Sequence, residues 1–269
     1  MKIAFIGGGN MGEAILSATL DKGLSSPRDI SVSDIDESRR RHLEQTYSVT
    51  VTSDSRQAVE KSEVVVLAIK PQSLAAVMTG LRGQLKPTQL VLSIIAGASI
   101  QTLASGLDHN RIVRAMLNTP AQIGEGISVW TATPEVTESQ KGWVSSILGA
   151  TGQEIYVADE KYIDMATAVS GSGPAYFFLF IEALVEAAVS IGLPRTVAQE
   201  LALQTMLGSG HLIQQSGKEP AELRRMVTSP GGTTAEALLR LEQGGFSDLI
   251  RQAVRAAYEK AKSLGGEQP

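Results

Sequence analysis

Lys2-Ile3-Ala4-Phe5-Ile6-Gly7-Gly8-Gly9-Asn10-Met11-Gly12 runs from a short apolar segment straight into glycines. Residues 2–6 have strand character, and Gly7, Gly9 and Gly12 stand in the spacing G-x-G-x-x-G. Glu13–Leu20 follows as a helix that stops at Gly23. Between a strand and a helix this pattern is the phosphate turn of a dinucleotide fold. The first glycine makes the turn, the second admits the pyrophosphate, and the third lets helix and strand pack closely. The pyrophosphate then lies at a helix N-terminus, where unpaired amides and the helix dipole favour an anion. The next apolar run, Ile30–Ser33, ends in Asp34, 22 residues beyond Gly12. An acid about 20 residues on is where the ribose is bound; the plainer reading of Asp34 is a solvated loop carboxylate. The register predicts a site for a nicotinamide-type dinucleotide.

Outward from this stretch, β-like runs continue at Val49–Thr52, Val64–Ile69, Leu90–Ile95 and Ile112–Met116, with weaker ones near Ile127–Trp130 and Glu154–Val157. Several are continuously apolar, as parallel strands buried on both faces are. Helical patterns intervene at Ser38–Gln45, Ser55–Lys61, Ser73–Leu81 and Glu138–Leu148. The alternation predicts an α/β domain over 1–158, a Rossmann-type doubly wound parallel sheet. From Glu160 the β signal ends, and 159–269 reads as an all-α domain. Its helices are expected at Pro174–Gly192, at a Thr196-x-x-Gln199 capping box running to Gln215, and at Pro220–Met226, Thr234–Gln243 and Phe246–Leu264. A polar Gly-Gly-Glu-Gln-Pro tail closes the chain. Pro174–Gly192 is apolar on every side, so it needs burial all round. A helical region this small has little bulk to supply it, which points to a second subunit.

Composition narrows the function classes. The chain has 269 residues, 43% hydrophobic and 19% charged, with a net charge of −4 and no basic stripe, which argues against nucleic acid. It has no cysteine, so disulfides and thiol nucleophiles are excluded. The histidines, His42, His109 and His211, stand singly with no partner at metal-ligand spacing, and no metal site is expected. Glu182 and Glu186 on the long apolar helix argue against a membrane span. A cytoplasmic location is the default reading.

Ligands of open α/β sheets bind beyond the carboxyl ends of the strands. The loops there are Lys70-Pro71-Gln72, Ala96-Gly97-Ala98 and Asn118-Thr119-Pro120. Ala96 and Gly97 leave room for a flat nicotinamide, and Asn118 has the chemistry to bond its amide. Each could equally serve only its own turn. Lys70 fits three roles, pairing with a phosphate, polarising a substrate or simply facing solvent, and the sequence does not choose. No nucleophilic triad or carboxylate pair is evident, and a hydride transfer needs none, since the cofactor carries the reactive atom.

Thr228-Ser229-Pro230-Gly231-Gly232-Thr233-Thr234-Ala235-Glu236 reads by itself as an ordinary capped helix after a turn, and beside a dinucleotide domain as a second anion site, for a small carboxylate or phosphate. A rigid turn enters a helix whose first amides are unpaired. Thr233 and Glu236 have capping-box spacing, so Thr233 is the expected N-cap, leaving the Thr234 hydroxyl free. A dinucleotide domain followed by a helical domain with such a start suggests an oxidoreductase for a small carboxylic acid.

These segments together resemble the pyrroline-5-carboxylate reductase family along almost the whole chain. The resemblance rests on Phe5-Ile-Gly-Gly-Gly-Asn-Met-Gly12, Ala68-Ile-Lys-Pro71, Arg114-Ala-Met-Leu-Asn-Thr-Pro120, Val169-Ser-Gly-Ser-Gly-Pro-Ala-Tyr176 and Val227-Thr-Ser-Pro-Gly-Gly-Thr-Thr234 with Leu241-Glu242. It implies reduction of the cyclic imine L-1-pyrroline-5-carboxylate to L-proline by NADPH or NADH. It also implies a homodimer interlocked through the helical domain and often assembled further. Carried over by position, the cofactor contacts are Ile6, Gly7, Gly8, Gly9, Asn10, Met11, Gly12, Asp34, Ser55, Ala68, Ile69, Lys70, Pro71, Ile95, Ala96, Gly97 and Asn118. The substrate contacts are Ser229, Gly232, Thr233 and Thr234, with Thr234 reaching the ring nitrogen as the expected catalytic residue.

Two departures stand out. Leu117 occupies a usual proline position, which should loosen a turn beside the nicotinamide. Asp34 replaces a small or hydroxyl residue, and its charge favours a free ribose 2′-hydroxyl over a 2′-phosphate. Arg39 and Arg40 are near enough to offset that charge, but read first as solvated helix residues. Two other readings compete. The first is a different dehydrogenase of the same two-domain plan, a hydroxyacid dehydrogenase or an F420-linked reductase; the former expects a catalytic lysine on the long helix, and Ala175–Leu193 has none. The second is a non-catalytic dinucleotide sensor, which would bind cofactor without turnover.

Overall fold

The computed structural model describes residues 1–264; the polar tail, Gly265–Pro269, lies outside the described residues. Strands β1 (Ile3–Ile6), β2 (Ile30–Ser33), β3 (Thr50–Thr52), β4 (Val64–Leu67), β5 (Leu90–Ser93), β6 (Ile112–Met116), β7 (Gly126–Ala132) and β8 (Gly152–Tyr156) form one sheet in the order 3-2-1-4-5-6-7-8. Helices α1 (Asn10–Asp21), α2 (Glu37–Tyr47), α3 (Ser55–Val59), α4 (Leu74–Leu81), α5 (Ile100–Leu107) and α6 (Glu138–Gly149) connect them. Side chains alternate across the pleat. Ile3, Phe5, Val64 and Val66 pack with Ile15, Leu16, Leu43, Val144 and Leu148 on one face. Ala4, Ile6, Val65 and Leu67 pack with Val59, Leu74, Leu81, Leu103 and Leu107 on the other. The continuous apolar runs therefore mark strands covered on both sides, each large side chain contributing about 1.5–3 kcal/mol by burial.

The sheet departs from the all-parallel expectation at β7, which runs antiparallel to β6, with Met116 opposite Val129. The cause is the connection. Only the nine residues between Met116 and Gly126, holding a 3-10 turn at Thr119–Ile123, join the two strands. A parallel crossover needs roughly a dozen residues or more. α6 supplies that length between β7 and β8, which pair parallel. α5 is an addition to the helices expected from the sequence, capped by the Ser99 hydroxyl on the Thr102 amide at 3.1 Å.

Beyond β8 come α7 (Lys161–Ala166), a π-helical turn at Thr167–Gly171, α8 (Gly173–Ser190), α9 (Arg195–Ser216), α10 (Pro220–Met226), α11 (Thr233–Gln243) and α12 (Phe246–Leu264). Two compact units result: Met1–Pro174 with the chain from Ala256 onward, and Ala175–Arg255. In the first, Ile163 of α7 is fully buried against Met116 and Val129. Arg114, 3% exposed, donates to Glu160 at 2.8 Å and Asp164 at 2.5 Å, pinning α7 to β6.

The second unit has a small core, Val185, Ala198 and Ala202 with Ile181, Ala188, Val189 and Leu193. Phe177, Phe178 and Leu179 of α8 are 60%, 62% and 66% exposed within the chain, and Leu201, Leu203, Leu207, Leu212 and Ile213 of α9 are exposed too. The helical run Lys161–Ser190 is long and apolar enough by length and composition to cross a membrane, Glu182 and Glu186 notwithstanding. Glu186 is paired with Arg195 through two bonds of 2.8 and 3.0 Å. That pair closes the turn before α9, which starts at Arg195 with Pro194 in the cap position. Thr196 consequently falls inside the first turn instead of at the cap, and the expected capping box does not form.

Candidate dinucleotide and anion sites

The carboxyl ends of β1, β2, β3, β4 and β5 are knitted together by backbone bonds. The Gly7 amide donates to Ser33 at 2.8 Å, Asp34 to Thr52 at 3.2 Å, Ala68 to Ile6 at 2.8 Å and Ile94 to Leu67 at 3.1 Å. These bonds hold the glycine turn and the loops Ala68–Pro71 and Ile95–Gly97 on one rim. Gly7 has φ +97, and a side chain there would meet the Ala68 carbonyl at 2.5 Å. Gly9 differs: nothing lies within 4 Å of where its side chain would be. It is the N-cap of α1 and no side chain caps the helix, so the first amides have no side-chain partner and start beside a bare backbone. That is the cradle a pyrophosphate needs, and the residues present fit a dinucleotide.

Asp34 is fixed at both oxygens: Oδ2 accepts the Gly8 amide at 2.7 Å and Oδ1 the Asp36 amide at 2.9 Å. A carboxylate has about four acceptor positions, so room remains for a ribose hydroxyl. Ser55 begins α3 with its hydroxyl 3.1 Å from that of Ser33. Lys70 is exposed and its ammonium bonds to nothing among the described residues. Asn118 uses its carbonyl on the Ile127 amide at 2.9 Å, leaving its NH2 as the donor for a ligand. Leu117 is 7% exposed and belongs to the main core, so burial anchors the turn that a proline would otherwise stiffen.

Arg39 and Arg40 are not solvated helix residues. Arg39 donates to the Gly8 carbonyl and to Glu13, and Arg40 donates to the Asp34 carbonyl at 2.7 Å. Glu13 also accepts from His42 at 2.8 Å and Tyr47 at 3.0 Å. Burial pushes the Glu13 carboxyl up, but the bonds from His42, Arg39 and Tyr47 outweigh it and hold it below the ordinary value. This cluster joins residues 26 to 34 positions apart, and no sequence period announces it.

In the helical unit, Ser229, Gly232, Thr233 and Thr234 gather at the start of α11. The expected Thr233 cap does not form: Gly232 is the N-cap, and no side chain caps the helix. Gly231, at φ +69, turns the chain so that the helix begins one residue early. Glu236 then lies one position too far along to complete a capping box. The Gly232 amide is held by the Ser229 carbonyl at 3.0 Å, while neither threonine hydroxyl has a hydrogen-bond partner among the described residues. The start of α11 is more open to an anion than the sequence suggested.

Comparison with known proteins agrees with both halves. Residues 2–97 match the family model described as NADP oxidoreductase coenzyme F420-dependent, and residues 160–264 match pyrroline-5-carboxylate reductase dimerisation. The chain is 43% identical to pyrroline-5-carboxylate reductase of Synechocystis sp. over 98% of both sequences. It superposes on the Coxiella burnetii pyrroline-5-carboxylate reductase with TM-score 0.89 and 38% identity over 98% of both chains. On the Plasmodium falciparum pyrroline carboxylate reductase with NADP bound, the TM-score is 0.90 and the identity 31%, again over 98% of both. Fold and glycine turn thus define a nicotinamide-dinucleotide oxidoreductase with a helical C-terminal domain. Within that class, the chain belongs to the pyrroline-5-carboxylate reductase family.

Proposed function

We propose that this chain reduces L-1-pyrroline-5-carboxylate to L-proline, the last step of proline biosynthesis. The observation that carries this is the uncapped start of α11 behind Pro230-Gly231-Gly232, in a chain whose other half is built for a dinucleotide. NADH or NADPH supplies the hydride when bound. The Ile6–Gly12 turn, Asp34, Ser55, Ala68–Pro71, Ile95–Gly97 and Asn118 hold and orient it. The amides of Thr233 and Thr234 take the substrate carboxylate, for which the helix dipole is favourable, with Ser229 and the side-chain-free backbone of Gly232, whose own amide is held by the Ser229 carbonyl, lining the contact. The Thr234 hydroxyl bonds the ring nitrogen and fixes the imine carbon for attack. An imine that arrives protonated needs no strong side-chain acid, in keeping with a set made of serine, glycine and threonine.

The exposed apolar side chains of α8 and α9 support a homodimer, since contiguous patches of that kind mark an interface. The proposed division between nucleotide-binding and dimerisation segments is at 158/159. The ligands are small molecules and the partner a second copy, with neither nucleic acid nor membrane involved, and the location is cytoplasmic. The test is loss of NADH and NADPH absorbance with pyrroline-5-carboxylate, with proline identified as product. Cofactor binding without turnover would leave a dinucleotide sensor instead.

A further inference from the structure

Arg39 reaches the glycine turn but arrives with its charge already engaged. Its Nε donates to the Gly8 carbonyl and its Nη2 to Glu13, whose other oxygen is held by His42 at 2.8 Å and Tyr47 at 3.0 Å. Gly8 is the residue whose amide Asp34 grips at 2.7 Å, so the guanidinium and the ribose-binding carboxylate hold the carbonyl and the amide of one residue. A 2′-phosphate would have to be placed at this corner, beside Asp34 and near an arginine able to neutralise it. Arg40 is tied through Nη1 to the Asp34 carbonyl at 2.7 Å. The Arg39 and Glu13 side chains are 23% and 20% exposed, so the pair is sheltered from the solvent screening that weakens surface ion pairs.

We infer that Glu13 determines cofactor specificity: by holding Arg39 against the first turn of α1, it withholds from a 2′-phosphate the cation placed to bind it. Discrimination against the phosphate then has two parts, the charge of Asp34 and the sequestration of Arg39. Three donors converge on Glu13, and His42 and Tyr47 anchor it to both ends of the second half of α2. The inference rests on the dinucleotide reading of the glycine turn alone and not on the identity of the imine.

The experiment is direct binding of NADH and NADPH to the full-length protein, followed by fluorescence without imine substrate. Glu13→Gln keeps the size and an acceptor oxygen but removes the charge that binds Arg39. The NADPH-to-NADH affinity ratio should rise about tenfold, the scale of one charge-assisted hydrogen bond. Glu13→Gln with Arg39→Ala should return the ratio to the native value, and Glu13→Asp should stay near it. A ratio unchanged in Glu13→Gln, or a gain that survives Arg39→Ala, overturns the inference. Should Glu13→Gln not fold, Arg39→Ala alone decides. A tenfold loss of NADPH relative to NADH would mean that Arg39 already serves the phosphate, against the inference; an unmoved ratio supports it. If neither dinucleotide binds the native protein, the nucleotide reading fails as well, which an unchanged ratio would leave standing.

Discussion

The Gly8 amide donates to the Asp34 carboxylate across 2.7 Å, tying the glycine turn to the end of β2. Because the Asp36 amide occupies the other oxygen, the carboxylate is held in one orientation and its charge cannot swing away from an incoming 2′-substituent. NADH is therefore expected to be used at least comparably with NADPH. Asp34→Ser, which removes the charge, should shift the ratio of kcat/KM values toward NADPH by about tenfold, or about 1.4 kcal/mol. Steady-state kinetics with both cofactors check this. A native protein that already favours NADPH a hundredfold would contradict it.

A second expectation concerns His109, which is buried, with Nε2 2.8 Å from the Gln89 carbonyl. Burial pushes its imidazole below the ordinary value of 6.5, with Arg111 adding to the effect and the Gln89 bond opposing it. The folded protein thus keeps His109 neutral where the unfolded chain would take a proton. The associated stability is fully present above about 6.5 and is lost as pH falls through the folded value. Melting temperature should drop between pH 7 and 5, by about 2–4 °C for each kcal/mol lost. His109→Gln should lower the curve at pH 7 yet flatten this slope. An equal slope in the variant would place the titration elsewhere.

The sheet was legible because the strands at Val64–Leu67 and Leu90–Ser93 are apolar without interruption, as only burial on both faces requires of so short a run. The direction of β7 was hidden, since it follows from the length of the preceding loop and not from the strand's residues. α5 had a readable start in Ser99, but its eight residues give little period to detect. At the sites, the glycine spacing located the cradle, whereas the Glu13–Arg39 pair depends on how α1 and α2 pack. The misplaced cap at Thr233 is a one-residue shift, set by the backbone of Gly231.

The apolar face of the helical unit gives a third expectation. Phe177, Phe178 and Leu179 are more than half exposed in a single chain, which a stable monomer does not tolerate over a contiguous helix. Sedimentation at micromolar concentration should give a dimer or a multiple of it. Phe178→Glu should release monomers and reduce turnover by more than about tenfold, since a buried unpaired charge costs several kcal/mol. A native monomer with full activity would refute the dimer.

The fourth expectation separates the two threonines at the start of α11. With Gly232 as the N-cap, neither hydroxyl is consumed by the helix, so the cost of about 1 kcal/mol that a lost Thr233 cap would bring does not apply. Thr233→Ala should leave the melting temperature within about 1–2 °C of native, as for a surface change of under ~0.5 kcal/mol. Thr233 is exposed, whereas Thr234 is half-buried and so has a more defined position for its hydroxyl. If that hydroxyl orients the imine ring, the reacting carbon is held near an attack distance of roughly 3–3.5 Å. Thr234→Ala should then lower kcat/KM by about tenfold to a hundredfold, the worth of one or two oriented hydrogen bonds. Its dinucleotide affinity and melting temperature should barely change. Turnover, NADH titration and thermal unfolding of the two variants side by side decide the matter. Full turnover in Thr234→Ala together with loss of turnover in an equally stable Thr233→Ala would reverse the assignment and make Thr233 the substrate ligand.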